Sequence, residues 1–204
     1  MLLVMWASLS GTISLTDPPE KSMPQPEKPA LPAKPPVDLS LIAERMRSGG
    51  QYLTPEQVRE ETELRNEQVK AAEGSLDSVD IEERIAGAEQ LAAYPTPEGE
   101  KLLNKALEGD MEQEVRQAAA VSLGYVKKPK SETISLLLLS LRDPAEEVRS
   151  AALETLSRYF AHDERGANQA NQIVKGLKKA AKSNRTPPDI REDIRNWLKE
   201  QSVN

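Results

Sequence analysis

The chain has 204 residues, a net charge of −6, no Cys, one His, 15 Pro and 3% aromatic residues. That length holds one domain plus a tail, and the absence of Cys removes disulfides, thiolate metal sites and Cys nucleophiles together. The acidic balance argues against a general nucleic-acid binder, which needs a basic face to release counterions, and a core so poor in aromatics must be built from Leu, Ala, Ile and Val, which suits stacked helices.

Residues 2–15 (LLVMWASLSGTISL) are uncharged and apolar apart from small Ser, Thr and Gly. The run is short for a membrane span and right for the apolar part of a signal peptide. No Lys or Arg precedes Asp17, so the basic segment that opens a signal is missing; a frayed apolar terminus of a cytosolic protein is the plainer alternative. Residues 1–16 are read as a signal or membrane-anchor remnant, which favours a periplasmic or membrane-anchored protein of a bacterial envelope over a cytoplasmic one.

Residues 17–37 form a linker in which Pro recurs every two to five positions with Lys, Glu and Ala between. Such a segment cannot form helix or sheet and favours the extended polyproline II form. At about 3.1 Å per residue it reaches on the order of 60 Å, as a spacer would. The alternative is a docking site for a domain that reads polyproline II, since Pro26, Pro29, Pro32 and Pro35 recur at the required interval.

Residues 38–75 are expected to be N-terminal capping helices. Leu39, Ile42 and Met46 give the first one apolar side, and Gly49 and Gly50 end it. The second starts with Thr54 as N-cap, Pro55 first and Gln57 third, a capping box. Val58, Val69 and Ala72 line it, Thr62 and Arg65 interrupt it, and Gly74 is expected to end it.

Residues 76–204 are read as a repeat domain. A helix over 81–94 leads to a second started by Thr96 and Pro97, with Leu102, Leu103, Ala106 and Leu107 facing inward. From Asp110 the chain reads DMEQEVRQAAAVSLGYV. Lys127, Lys128, Pro129 and Lys130 make a turn, and Ser131 is expected to cap residues 134–141. That stretch, ISLLLLSL, is apolar nearly all round and should be the most buried helix. From Asp143 the chain reads DPAEEVRSAALETLSRY, with Asp143 as N-cap, Pro144 first and Glu146 completing the capping arrangement. After a polar connection at 161–166, a helix near 167–183 sets Ile173, Val174, Leu177, Ala180 and Ala181 against Lys175, Lys178, Lys179 and Lys182. Thr186, Pro187 and Pro188 break the chain before a last helix near 189–200 carrying Trp197 and Leu198.

The two quoted segments are one pattern written twice. Asp110 matches Asp143, Val115 matches Val148, Arg116 matches Arg149 and Leu123 matches Leu156, always 33 residues apart. Self-similarity at such a period marks a helical solenoid, because a lone helix pair cannot bury both its apolar stripes and must stack on a neighbour. Weaker copies flank the strong pair. Arg84, Ala86, Gly87, Ala88 and Leu91 fit one, with Ser78 in place of the Asp and Glu83 in place of the Val. Ile190, Arg191, Ile194 and Leu198 fit the other, with Arg185 where the Asp should stand.

This unit resembles the HEAT repeat, in particular the short HEAT-like repeats of bacterial scaffold proteins and bilin lyases. The resemblance implies an all-α fold, a right-handed α-solenoid of about four helix pairs preceded by the extended Pro-rich tail. It also implies that Asp110, Arg116, Asp143 and Arg149 form a hydrogen-bonded ladder between consecutive repeats, as structural glue.

No catalytic, cofactor-binding or metal-ligating residue is assigned. His162, followed by Asp163 and Glu164, is a lone His where non-haem iron needs about two and a carboxylate; it is read as a loop residue. The His-Glu motifs of HEAT-repeat hydroxylases are missing, as is any Gly-rich phosphate loop. The pairs Glu82 with Glu83 and Glu146 with Glu147 sit where carboxylates complement a helix dipole. The reading is a non-enzymatic scaffold or adaptor that binds a protein partner, with contacts expected at Gln113, Gln117, Glu146 and Ser150. Residues 166–204 sum to +4 against −10 for the rest, so Lys175, Lys178, Lys179 and Lys182 are a second candidate contact, for an acidic protein or an anionic membrane surface; a solvated helix face is the plainer account. The alternatives are an enzyme-associated HEAT module of the lyase or hydroxylase kind and, behind it, a nucleic-acid-binding HEAT-like protein; no cofactor and no nucleic acid are expected.

Overall fold

A computed structural model describes residues 54–161 and 167–201, and these form eight helices and no strand. They are α1 (Pro55–Leu76), α2 (Ile81–Ala93), α3 (Pro97–Gly109), α4 (Gln113–Leu123), α5 (Ser131–Ser140), α6 (Glu146–Ala161), α7 (Ala167–Lys182) and α8 (Pro188–Gln201). The expected apolar terminus, Pro-rich arm and short helix near 38–47, together with His162, Asp163 and Glu164, lie outside the described residues. No helix among those described is long and apolar enough to cross a membrane.

The helices pair in chain order, α1 on α2, α3 on α4, α5 on α6 and α7 on α8. The pairs stack so that α1, α3, α5 and α7 form one layer and α2, α4, α6 and α8 the other. This is an α-solenoid. The segment expected as a capping helix is α1, and it packs on α2 as the first half of the first pair.

Local chemistry explains several helix starts. Thr54 accepts the Gln57 backbone N–H while the Gln57 side chain accepts the Thr54 N–H, and Pro55 takes the first helical position. Thr96 and Pro97 start α3 in the same manner, with Gly99 N–H bonded to the Thr96 hydroxyl. Elsewhere the expectations need correction. Gly74 does not end α1, which continues to Leu76. Asp143 is not the N-cap of α6. Its carboxylate accepts the Ala145 N–H and folds a tight turn, and the helix starts only at Glu146. Ser131 is the first residue of α5 rather than its cap, and its hydroxyl donates to Gln172 on α7.

The core runs continuously from Val69 to Ile194. Val115, Ala119, Ala120 and Leu123 of α4 face Val148, Ala152 and Leu156 of α6, all without exposure. Each buried Val or Leu contributes about 1.5–3 kcal/mol, and the alanines let the helices approach closely. The apolar run in α5 is not the most buried helix. Ile134, Leu137 and Leu141 are fully buried, but Leu136 and Leu138 are half-buried and Leu139 is 56% exposed. In a two-layer stack each helix keeps one side with no neighbouring layer, whatever its composition.

Candidate functional site

The stack is stitched along one edge, where the turn inside each helix pair lies. Arg84 of α2 donates from Nε to Asp110 Oδ2 at 2.9 Å and from Nη2 to Oδ1 at 3.1 Å. Arg116 of α4 repeats the fork on Asp143, at 2.8 and 2.9 Å. Arg149 of α6 reaches Asp189 at the start of α8 through Nη2 alone, and its buried Nε has no acceptor. In every case Nη1 turns back to its own pair. It holds the carbonyls of Ser78 and Val79 for Arg84, of Asp110 and Met111 for Arg116, and of Asp143 and Pro144 for Arg149. One guanidinium thus fixes the turn of its own unit and the carboxylate of the next, which a planar five-donor group can do and an ammonium cannot.

Charge follows geometry. Burial pushes the Asp143 carboxyl up, but the Arg116 hydrogen bonds, the Ala145 N–H and the charges of Arg116 and Arg149 outweigh it and hold it below the usual range. The Arg149 hydrogen bond likewise keeps Asp189 low, against a smaller opposing effect of desolvation. Arg84 and Arg116 are held above the ordinary guanidinium range, chiefly by their bonds to Asp110 and Asp143.

Of the ladder residues, Asp110, Arg116, Asp143 and Arg149 carry the visible sequence repeat. Arg84 fits the same frame, six residues after Ser78. Asp189 does not. It takes the place expected at Arg185, and no sequence offset announced it because α6 and α7 have 16 residues each against 11 and 10 in α4 and α5, which moves the acid to 40 residues from Arg149.

A second seam crosses the other layer. Glu100 of α3 is 3% exposed and is in no salt bridge among the described residues. Its Oε1 accepts the Lys130 N–H at 2.7 Å and the Thr133 hydroxyl, and Asn104 donates to Thr133 at 2.9 Å. Lys130 is the N-cap of α5 and has no side-chain cap of its own, so the neighbouring unit supplies one. From the other side, Gln169 and Gln172 of α7 donate to the Pro129 and Ser131 carbonyls at 2.6 and 2.9 Å. Between α4 and α6, the Thr155 and Tyr159 hydroxyls donate to the Ala120 and Leu123 carbonyls in the last turn of α4.

The surface that remains free has two characters. Gln113 and Glu146 are the first residues of α4 and α6, and Gln117 and Ser150 lie one turn further on; Gln117 is half-buried and the other three are exposed. They occupy matching places on two helices that pack together. Around them the turn edge is acidic, with Glu82, Glu114, Glu146 and Glu147 exposed. Lys175, Lys178, Lys179 and Lys182 are all exposed along α7, and none is joined to a carboxylate among the described residues.

No sequence pattern pointed to a row of bare apolar side chains. Val79 is 99% and Met111 91% exposed, and Pro144 at the matching place in the next turn is exposed too. An open cleft of about 390 Å³ lies between the second and third turns, lined by Met111, Glu112, Gln113, Glu114, Arg116, Pro144 and Ala145. A second of about 440 Å³ is lined by Lys101, Asn104, Lys105, Glu108, Gly109 and Glu132. Among the described residues no three of His, Cys, Asp and Glu converge as metal ligands. The arrangement is suited to displaying side chains on a fixed backbone.

Comparison with known proteins agrees with this architecture. The family model described as HEAT repeats matches residues 70–157 and again residues 99–198. No curated protein sequence matches the chain.

Proposed function

The chain belongs to the HEAT-repeat family, and from that premise we propose that it is a non-enzymatic scaffold that binds a protein partner and works tethered at, or exported across, a membrane. The observation that carries the reading is the division of a stapled helix stack into two oppositely charged free surfaces. The turn edge exposes Glu82, Glu114, Glu146 and Glu147, and α7 exposes four lysines with no carboxylate partner among the described residues. A rigid body with two such surfaces can hold a cationic partner on one while meeting an anionic protein or lipid surface with the other.

The tether is inferred from composition. Residues 2–15 carry no charge, and the Pro-rich residues that follow favour an extended spacer. This arrangement would keep the repeat stack clear of the surface that holds the apolar segment.

The test is crosslinking of the full-length protein in its own cells, followed by capture and fractionation. A specific protein partner in the membrane or envelope fraction is the expected result. Reversal of Lys175, Lys178, Lys179 and Lys182 to Glu should release the anionic contact; if every association survives that change, the second contact is rejected. Bound iron, or transfer of a bilin to an acceptor, would replace the scaffold reading with an enzymatic one.

A further inference from the structure

We propose that the turn edge is a docking track for an extended, basic peptide of a partner protein, with an apolar side chain at every third position seated in turn on Val79, Met111 and Pro144. The inference rests on the scaffold reading and adds to it the surface used and the chemistry of its occupant.

Three observations carry it. The first is periodicity. The three residues occupy the same place in three successive turns and are all exposed. Stacked helices lie about 8–10 Å apart, and a polyproline II chain has about three residues per turn and advances about 3.1 Å per residue. Three residues of an extended chain therefore cover one step of the stack. A helical ligand, rising about 1.5 Å per residue, would need six or seven and would turn most of its side chains away.

The second is preorganisation. The carbonyls of Val79, Met111 and Pro144 accept hydrogen bonds from Arg84, Arg116 and Arg149 at 3.3, 3.0 and 2.9 Å. The backbone under each apolar side chain is thus held by the ladder, and little conformational freedom is left to lose on binding. Between Met111 and Pro144 the surface is already concave, with a cleft of about 390 Å³.

The third is charge. Glu82, Glu114, Glu146 and Glu147 flank the apolar row, exposed and outside any ion pair among the described residues. Asp110 and Asp143 are neutralised by the ladder. A ligand with Lys or Arg between its apolar residues matches this field, and an acidic one is repelled.

The experiment uses the full chain and a labelled synthetic peptide in which Leu recurs at every third position with Lys and Pro between, read by fluorescence anisotropy. The expected result is binding at least about tenfold tighter than to a peptide of the same composition with Leu at every second position, a difference of about 1.4 kcal/mol, and weaker binding as salt is raised. Met111→Ser and Val79→Ser, which remove the apolar seat without adding charge, should each weaken binding several-fold while leaving the thermal melt unchanged, since both side chains stand in solvent. Equal affinity for the two peptides, or unchanged affinity in both variants, overturns the track. Pro26, Pro29, Pro32 and Pro35 of this chain share the three-residue interval, so a full chain with Ser at these four positions is measured alongside. If that variant binds the peptide far more tightly, the edge belongs to the chain's own arm and the assignment to a partner falls. A cellular crosslink that survives both Ser variants would leave the scaffold reading intact and remove the track; a track that binds peptide while no cellular partner is captured would do the reverse.

Discussion

Arg116 grips Asp143 through two parallel hydrogen bonds, from Nε at 2.8 Å and Nη2 at 2.9 Å, while its Nη1 holds the Asp110 and Met111 carbonyls, each at 3.0 Å. Four acceptors converge on one side chain, so its loss should be felt on both sides of the turn. Asp143→Ala is expected to cost about 2–3 kcal/mol, because it strands a largely buried guanidinium and removes the acceptor of the Ala145 N–H. Arg116→Lys should cost nearly as much, since an ammonium cannot span the fork and both carbonyls. Arg149→Lys should cost less, because its carboxylate contact has one prong. Urea unfolding of the three variants gives the ranking.

The same pair sets an acid limb. The Asp143 carboxyl is held below its ordinary range in the folded chain, so the folded state binds its proton less readily than the unfolded state. The sign follows from linkage. Its stabilisation is complete above the unfolded value, about 3.9, and is lost as pH falls from there through the depressed folded value. Melting temperature plotted against pH should fall more gently below that point in Asp143→Asn than in the parent chain, with the two curves parallel near neutrality.

Glu100 is a buried side chain held by the Lys130 N–H and the Thr133 hydroxyl. Glu100→Gln keeps an acceptor for Lys130 N–H and should be mild. Glu100→Ala leaves that N–H and the Thr133 hydroxyl without their shared partner and should cost about 1–3 kcal/mol. Hydrogen exchange checks the location of the damage: protection should drop first at the N-terminus of α5, while the core amides of α4 and α6 keep theirs.

Two glycines inside helices should respond oppositely to alanine. A Cβ on Gly87 would lie 2.9 Å from the Ala72 carbonyl oxygen and 2.9 Å from Ser75 Cβ, so α1 and α2 would have to separate. Gly87→Ala should therefore destabilise by about 1–3 kcal/mol. A Cβ on Gly74 meets nothing within 4 Å, and Gly74→Ala should stabilise by about 0.5–1 kcal/mol. Thermal melts of the two single variants separate close packing from helix propensity.

Leu137 and Leu139 are two residues apart in a run that reads as uniformly apolar. Leu137 is fully buried and Leu139 stands half in solvent. Leu137→Ala should cost about 2–5 kcal/mol, and Leu139→Lys should change stability by less than about 0.5 kcal/mol. Chemical denaturation of the two variants measures the contrast.

The architecture was legible because the repeat writes its key residues at a fixed interval. Asp110, Arg116, Asp143 and Arg149 could be found by sliding the chain over itself, and the Thr54 and Thr96 caps by their short local patterns. What escaped detection depended on neighbours that local patterns do not encode. Asp189 closes the last rung from an unrelated register. Glu100 looked like any first-turn carboxylate of a helix, yet it caps a helix of the next unit. The exposure of Leu139 followed from the free side that α5 keeps in a two-layer stack. Val79 and Met111 differ in type and lie outside the helices, so no periodic stripe pointed to them; only the positions of successive turns aligned them.

Ser78 stands where the following turns carry Asp110 and Asp143. Its hydroxyl accepts the Asp80 N–H at 3.1 Å, as the two carboxylates accept theirs, and donates to Glu83 at 2.5 Å. The turn is kept, but position 78 itself carries no carboxylate fork, and its one oxygen already has two partners. The ladder thus lacks its acid at the first described turn, and an engineer wishing to graft another module ahead of α1 with the same rung would have to restore an acid at position 78.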